Sequence, residues 1–274
     1  FPYKIVKDVI ELPQLNKNTD IQKITQLKWN NISKQLNTLK NFIPIADLSY
    51  TMNLSHNMKN KIPLDSYYSS IALSILISEN NNNTYKNRIL TFSEKPKWIN
   101  LDRCNNIIEK INLLNNSKYG YKTNLYGCFN IILNTILDNN IKPEHVENMT
   151  FVILTNSNYD THKYLDDTLY NNIELLYKNT GLNSIFKKPY KPPHIVFWNL
   201  SYSEYFPVTS RTRNTTMISG YSHLLLNNFT YDGIDGLKQY TPYKMIHDIL
   251  NNKRYSILSS YALDYFQNDI TKSL

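Results

Sequence analysis

Glycine is scarce, 6 residues in 274, and no two of them form a Gly-x-Gly pair. The chain therefore has no dinucleotide-binding loop, and no Gly-Lys-Ser/Thr sequence supplies a phosphate-binding P-loop. Cysteine is scarcer: Cys104 and Cys128 allow at most one bridge, which excludes a disulfide scaffold. No Cys-x-x-Cys or His-x-x-x-His offers zinc spacing, and no Gly-x-Ser-x-Gly elbow presents a nucleophilic serine. No apolar run approaches the ~20 residues that a bilayer span needs. The opening Phe1-Pro2-Tyr3 is unlike a signal peptide and lacks Met, so an excised domain or processed product is expected, cytoplasmic or otherwise intracellular, a virion included.

What is present is enough for a core. Apolar residues make up 41 % and aromatics 13 %, which excludes disorder. A single body of this length buries roughly 70–75 % of its unfolded surface. Lys and Arg total 30 against 22 Asp and Glu, a net charge of +8 that permits nucleic-acid or acidic partners. Asn, Lys, Ile and Tyr are over-represented, as an A·T-rich genome would make them, so neither the Asn tracts nor the charge alone marks a function.

Hydrophobic patterning alternates between short runs and helical stripes. Phe42–Ala46, Arg88–Phe92, Met149–Thr155 and His194–Trp198 are apolar runs of strand length, and Met217-Ile218 sits in a fifth expected strand. Pro44 is the awkward member, because it removes a ladder donor. Between the runs, Leu64–Glu79 is apolar around most of its girth, which places a helix in the middle of a larger body. Helices are also expected near Trp29–Leu39, Cys104–Leu114, Asn124–Asn139, around Leu165–Leu176, and from Thr241-Pro242 through Leu250. Strands alternating with helices predict an α/β fold: a doubly wound, mostly parallel sheet with helices on both faces. Ile71, Leu73, Ile75, Phe129, Leu133, Val152, Leu154, Val196 and Phe197 are the expected core.

Ligands of open α/β sheets bind beyond the carboxyl ends of the strands. The first such end reads Asp47-Leu48-Ser49-Tyr50-Thr51, one carboxylate followed by hydroxyls two and four residues on, a set that suits a hard cation such as Mg²⁺. Thr123, before the amphipathic helix, and Asn156, after the second strong strand, add oxygens at neighbouring ends. A polar strand-to-helix turn is the plainer reading of the same residues. Phe186-Lys187-Lys188-Pro189-Tyr190-Lys191 is a basic aromatic loop. Its Lys187, Lys188 and Lys191 could neutralise phosphate and Tyr190 could stack a base, although a solvated connection is the plainer reading.

Asp47-x-Ser49-x-Thr51, with Thr123 and Asn156, resembles the metal-ion-dependent adhesion site (MIDAS) of von Willebrand factor A domains. The ordered segments FIPIADLSYTM, NRILTFSEKPKWINL, YGYKTNL, FVILTNSNYD, PPHIVFWNLSYSEYFPV and MISGYSHLLL are similar to the domain-of-unknown-function 2828 family of eukaryotes and large DNA viruses. Its relatives include the TROVE proteins, in which a helical-repeat ring carrying such a domain binds small RNAs. The resemblance implies an N-terminal helical segment at 1–40, remnant of or linker to a missing helical region, and a von Willebrand A-like three-layer sandwich at 41–274. It implies a non-catalytic binding or scaffold module for a protein or ribonucleoprotein partner, with Mg²⁺ or Mn²⁺ at Asp47, Ser49, Thr51, Thr123 and Asn156. A partner's acidic group would complete the cation's ligands. This chain departs from the family pattern: Tyr50 stands for Gly, Thr51 for Ser and Asn156 for Asp, the last removing a carboxylate. The alternatives are a metal-free structural or assembly domain, an RNA-binding protein acting through its basic surface, and a Mg²⁺-dependent phosphoryl-transfer enzyme, for which no second carboxylate or general base is identifiable.

Overall fold

The strongest apolar runs become neighbouring strands because strands buried on both faces read as continuous apolar segments. In the computed structural model the described residues are 2–12, 18–34, 41–49, 52, 65–81, 85–117, 120, 122–156, 168–201, 207–208 and 211–220. All belong to one compact unit, Phe1–Tyr231; a second unit, Asp232–Leu274, lies outside them, and so does the helix expected from Thr241. Two helices come first, α1 (Pro2–Glu11) and α2 (Thr19–Ser33). The order continues β1 (Phe42–Ala46), α3 (Asp65–Glu79), β2 (Arg88–Thr91), β3 (Trp98–Asn100), α4 (Ile107–Asn115), α5 (Leu125–Asp138) and α6 (Pro143–Glu147). It ends with β4 (Thr150–Thr155), α7 (Thr168–Asn183), β5 (His194–Asn199) and β6 (Thr215–Ser219).

The six strands form one sheet in the order β3-β2-β1-β4-β5-β6. Every pairing is parallel except β2 with the edge strand β3. The order reverses direction between β1 and β4, which places a topological switch point at their carboxyl ends. Pro44 is tolerated in this central strand because its missing N–H lies on the side facing β2, where pairing begins only at Ile45↔Leu90. On that same side Asn81 donates its side-chain amide to the Phe42 carbonyl at 2.5 Å, serving a group that β2 does not reach.

Alternate strand residues serve opposite faces. Ile43, Ile45, Phe151, Ile153, Ile195 and Phe197 pack with Phe129, Ile132, Leu133 and Ile136 of α5 and with Ile173 and Tyr177 of α7. On the other face lies α3, whose residues from Ser66 to Ser78 are all buried, since α1 and α4 cover its outer side. All nine expected core residues are buried. The fold is the doubly wound α/β sandwich that the resemblance implies.

Three differences from the patterning have local causes. The N-terminal helix runs from Thr19 to Ser33 rather than from Trp29 to Leu39, because Asn18 caps it, accepting from the Asp20 and Ile21 N–H groups at 2.9 and 3.2 Å. Residues 35–40 lie outside the described residues. Helix α1 falls within the helical segment expected at 1–40, although the patterning gave it no bounds; it buries Ile5, Val6 and Val9, and Tyr68 of α3 donates to Glu11 at 2.9 Å. Trp29 likewise donates its indole N–H to Glu79 at 2.8 Å, beside the Lys110–Glu79 ion pair at 2.7 Å. The edge strand β3 is too short to show a period, and is pinned to α5 by the Trp98 indole donating to Thr135 at 2.9 Å. Among the described residues no helix is long and apolar enough to cross a membrane.

Candidate functional site at the carboxyl ends of the strands

Asp47 follows the last residue of β1. Its own N–H still belongs to the sheet, donating to the Leu154 carbonyl at 2.8 Å, so its position is fixed by the ladder. The side chain then turns inward and is fully buried. Its Oδ1 accepts the Ser49 N–H at 3.0 Å, an Asx turn that bends the chain away from the sheet. Its Oδ2 accepts the Thr155 hydroxyl from the end of β4 at 2.7 Å. Ser70 of α3 donates to the Asp47 carbonyl at 3.1 Å and approaches the Leu154 carbonyl at 3.5 Å. Burial pushes the Asp47 carboxyl above its ordinary range, while the hydrogen bonds from Ser49 and Thr155 hold it down in part.

The end of β5 repeats the device with a neutral side chain. Asn199 Oδ1 accepts the Ser201 N–H and the Ser201 hydroxyl, both at 2.9 Å. The Ser201 hydroxyl also lies 3.2 Å from the Asn156 carbonyl, and Ser66 at the start of α3 donates to the Leu200 carbonyl at 2.8 Å. Asp47-Leu48-Ser49 and Asn199-Leu200-Ser201 are thus twin Asx turns on either side of the end of β4. The repeated Leu-Ser-Tyr after Asp47 and after Asn199 is the sequence signal that would have found the second turn. Patterning singled out Asp47, Ser49 and Asn156 but missed Thr155, Asn199, Ser201, Ser66 and Ser70.

The remaining expected ligands are placed as follows. Asn156 is buried next to Thr155, its backbone joined to the β5 turn. Thr123 is half-buried, one residue before Asn124, which caps α5 by accepting the Gly127 N–H at 2.8 Å. In the first turn of α5 the Cys128 thiol is pushed up by burial and, to a smaller extent, by the Asp47 charge. Thr51 and Tyr50 lie outside the described residues.

The implied cation can be tested against this donor set. Asp47 is its single carboxylate, both oxygens already accept hydrogen bonds, and the other donors are neutral hydroxyls and one amide. Among the described residues no three His, Cys, Asp or Glu side chains group together. Mg²⁺ dehydrates reluctantly and relies on one or two carboxylates with further anionic ligands. Among the described residues the set offers a cation one carboxylate and no second anionic ligand.

The basic loop lies at the other end of the sheet, before β5. Tyr190 is buried and its hydroxyl donates to the Ile141 carbonyl at 3.3 Å, so the ring offers no face for a base to stack on. Lys187 and Lys188 are exposed, and Lys191 pairs with Glu147 at 2.7 Å.

Comparison with known proteins adds the following. An uncharacterised protein of Acanthamoeba polyphaga mimivirus is 25 % identical over 250 residues, covering 86 % of this chain and 38 % of its own length. The chain thus spans well under half of that relative. The crystal structure of the Deinococcus radiodurans RO (RSR) protein aligns with TM-score 0.48 and 12 % identity over 78 % of this chain and 38 % of that one. The family model that matches is not the 2828 family of the sequence resemblance; it covers residues 41–255, from just before β1 to beyond β6. On that match the chain belongs to the family described as domain of unknown function (DUF7788).

Proposed function

We propose that this domain is a non-catalytic binding module whose contact face is the carboxyl end of the sheet, and that it serves a protein or ribonucleoprotein partner. The observation that carries the reading is the pair of Asx turns, at Asp47–Ser49 and Asn199–Ser201, braced through Thr155 and Asn156. These buried turns stiffen the strand ends beneath the switch point, the place where open α/β sheets receive ligands. Catalysis has less support there. Asp47 is enclosed and fully bonded, so it is badly placed as a general base or as a ligand for phosphoryl transfer.

A second reading, a MIDAS-like cation site completed by an acidic group of the partner, is favoured by the burial of Asp47. No ion pair to that carboxylate exists among the described residues, so the cost of burying its charge is offset only in part, by the Ser49 and Thr155 hydrogen bonds, and a counter-charge would offset the rest. On this reading Asp47, Ser49, Thr123 and Asn156, with Thr51, would hold Mg²⁺ or Mn²⁺, and the partner would supply the charge that Asn156 lacks.

One experiment addresses both. Short peptides rich in Asp and Glu are titrated into the isotope-labelled full chain, with and without Mn²⁺, and amide signals are followed. Shifts centred on Ser49, Asn156 and Ser201 support the strand-end face. Paramagnetic broadening there only when peptide and Mn²⁺ are both present supports the shared cation. Shifts confined to other surfaces overturn the assignment of the face.

A further inference from the structure

We propose that the outer face of α7, together with the Lys187–Lys191 loop, docks an acidic amphipathic segment of another protein. This surface belongs to the amino end of β5, the opposite end of the sheet from Asp47, and it is independent of the strand-end reading.

Three observations converge on it. First, α7 exposes apolar side chains in one stripe: Leu175 is 55 % and Leu182, two turns on, 43 % exposed, and Ile185 follows at 70 %. Single exposed apolar residues are ordinary; here three large ones stand out of the same helix and its C-terminal loop, with Lys178 between them, beside a cleft. Second, Leu175 lines a built cleft. Gly181 brings the helix against the loop backbone so closely that a Cβ there would collide with the Tyr190 nitrogen, the Lys188 oxygen and the Pro189 carbonyl carbon. Helix and loop then wall a cleft of about 590 Å³, with Glu174, Leu175 and Lys178 on one side and Pro189, Lys191 and Pro192 on the other.

Third, the charge is predominantly positive. From 168 to 220 the described residues include Lys178, Lys187, Lys188, Lys191, Arg211 and Arg213 against the single acid Glu174. Glu174 is neutralised by Arg213, and Glu147 by Lys191. Lys178, Lys187 and Lys188 make no ion pair among the described residues. An apolar stripe with lysines beside it complements a helix bearing Leu on one face and Glu on the other, the helix-in-groove mode of recognition. Nucleic acid is a poorer match, because its grip on unpaired bases needs an exposed aromatic face and Tyr190 is buried.

The test uses the full chain and a fluorescein-labelled synthetic peptide with Leu at i, i+3, i+4 and i+7 and Glu on the remaining faces. Controls are the same composition scrambled to destroy the stripe, and a labelled polyuridine oligonucleotide. Anisotropy should show saturable binding of the striped peptide, weakened about tenfold or more by Leu175→Asp with Ile185→Asp. Lys187→Glu with Lys188→Glu should weaken it comparably and flatten its salt dependence. These positions are exposed, so thermal melts of the variants should match the parent chain. Equal binding of the scrambled peptide would reduce the surface to a charge effect and overturn the proposal. Tighter binding of the oligonucleotide, lost in the lysine variant alone, would make it a nucleic-acid face. Self-association of the parent chain abolished by Ile185→Asp would make the occupant a second copy, and either result overturns the assignment.

Discussion

Thr155 donates its hydroxyl to Asp47 Oδ2 at 2.7 Å, tying the end of β4 to the end of β1 across the switch point of the sheet. Both residues are fully buried, so no water replaces the bond when it is removed. Thr155→Val keeps the shape and deletes the donor, leaving a buried carboxylate oxygen short of a partner. The expected cost is about 1–3 kcal/mol. Urea unfolding measures it, and curves that overlay the parent would mean the bond is not formed in solution.

The same burial sets a pH dependence. The Asp47 carboxyl is raised by desolvation, while in the unfolded chain it titrates near its ordinary 3.8. Between those two values the folded state holds more protons, so its stability falls as pH climbs from 3.8 through the raised folded value and then levels off. Asp47→Asn cannot ionise and escapes that fall. The stability difference between variant and parent should therefore shift in the variant's favour as pH rises over this window. Urea midpoints at a series of pH values test this, and two parallel curves would contradict it.

Gly181 is the one glycine in α7, and the loop backbone lies where its side chain would project. Gly181→Ala should gain helix propensity yet lose stability by about 1–3 kcal/mol, because backbone cannot yield as a side-chain tip can. A thermal melt decides it; a stabilised variant would mean that the loop is not seated on α7.

Leu133 of α5 and Phe197 of β5 belong to the same buried cluster on one face of the sheet. Replacing either by Ala should cost about 2–5 kcal/mol, with the larger value at Phe197, which is wholly buried. Denaturant titration of each variant reads this directly, and unchanged midpoints would place the helix elsewhere.

The sheet was legible because its central strands are apolar throughout. Phe42–Ala46, Thr150–Thr155 and His194–Asn199 announce burial on both faces. Helix α5 was legible from its stripe, and α3 from its lack of a polar side. The edge strand β3 and the five-residue α6 were not, since neither is long enough to show a period. At the site, Asp47 and Ser49 could be read from their spacing beyond an apolar run. Asn199 and Ser201 repeat that spacing but carry no charge, and Thr155 acts through a bond from a strand distant in sequence. Tyr190 looked like an exposed ring because basic and Pro-rich neighbours suggest a solvated loop. Its burial follows from the packing of that loop on Gly181, which local composition does not encode.

The central claim is that Asp47 braces the strand ends of a binding face whose own ligands are one carboxylate short of a cation site. Calorimetric titration of Mn²⁺ into the parent chain, Asn156→Asp and Asp47→Ala with Asn156→Asp tests it most directly. The account predicts no saturable uptake by the parent chain alone, measurable uptake once Asn156→Asp restores a second carboxylate, and its loss again when Asp47 is removed. Tight, stoichiometric Mn²⁺ binding by the unaltered chain, or no uptake by the Asn156→Asp variant, would contradict it.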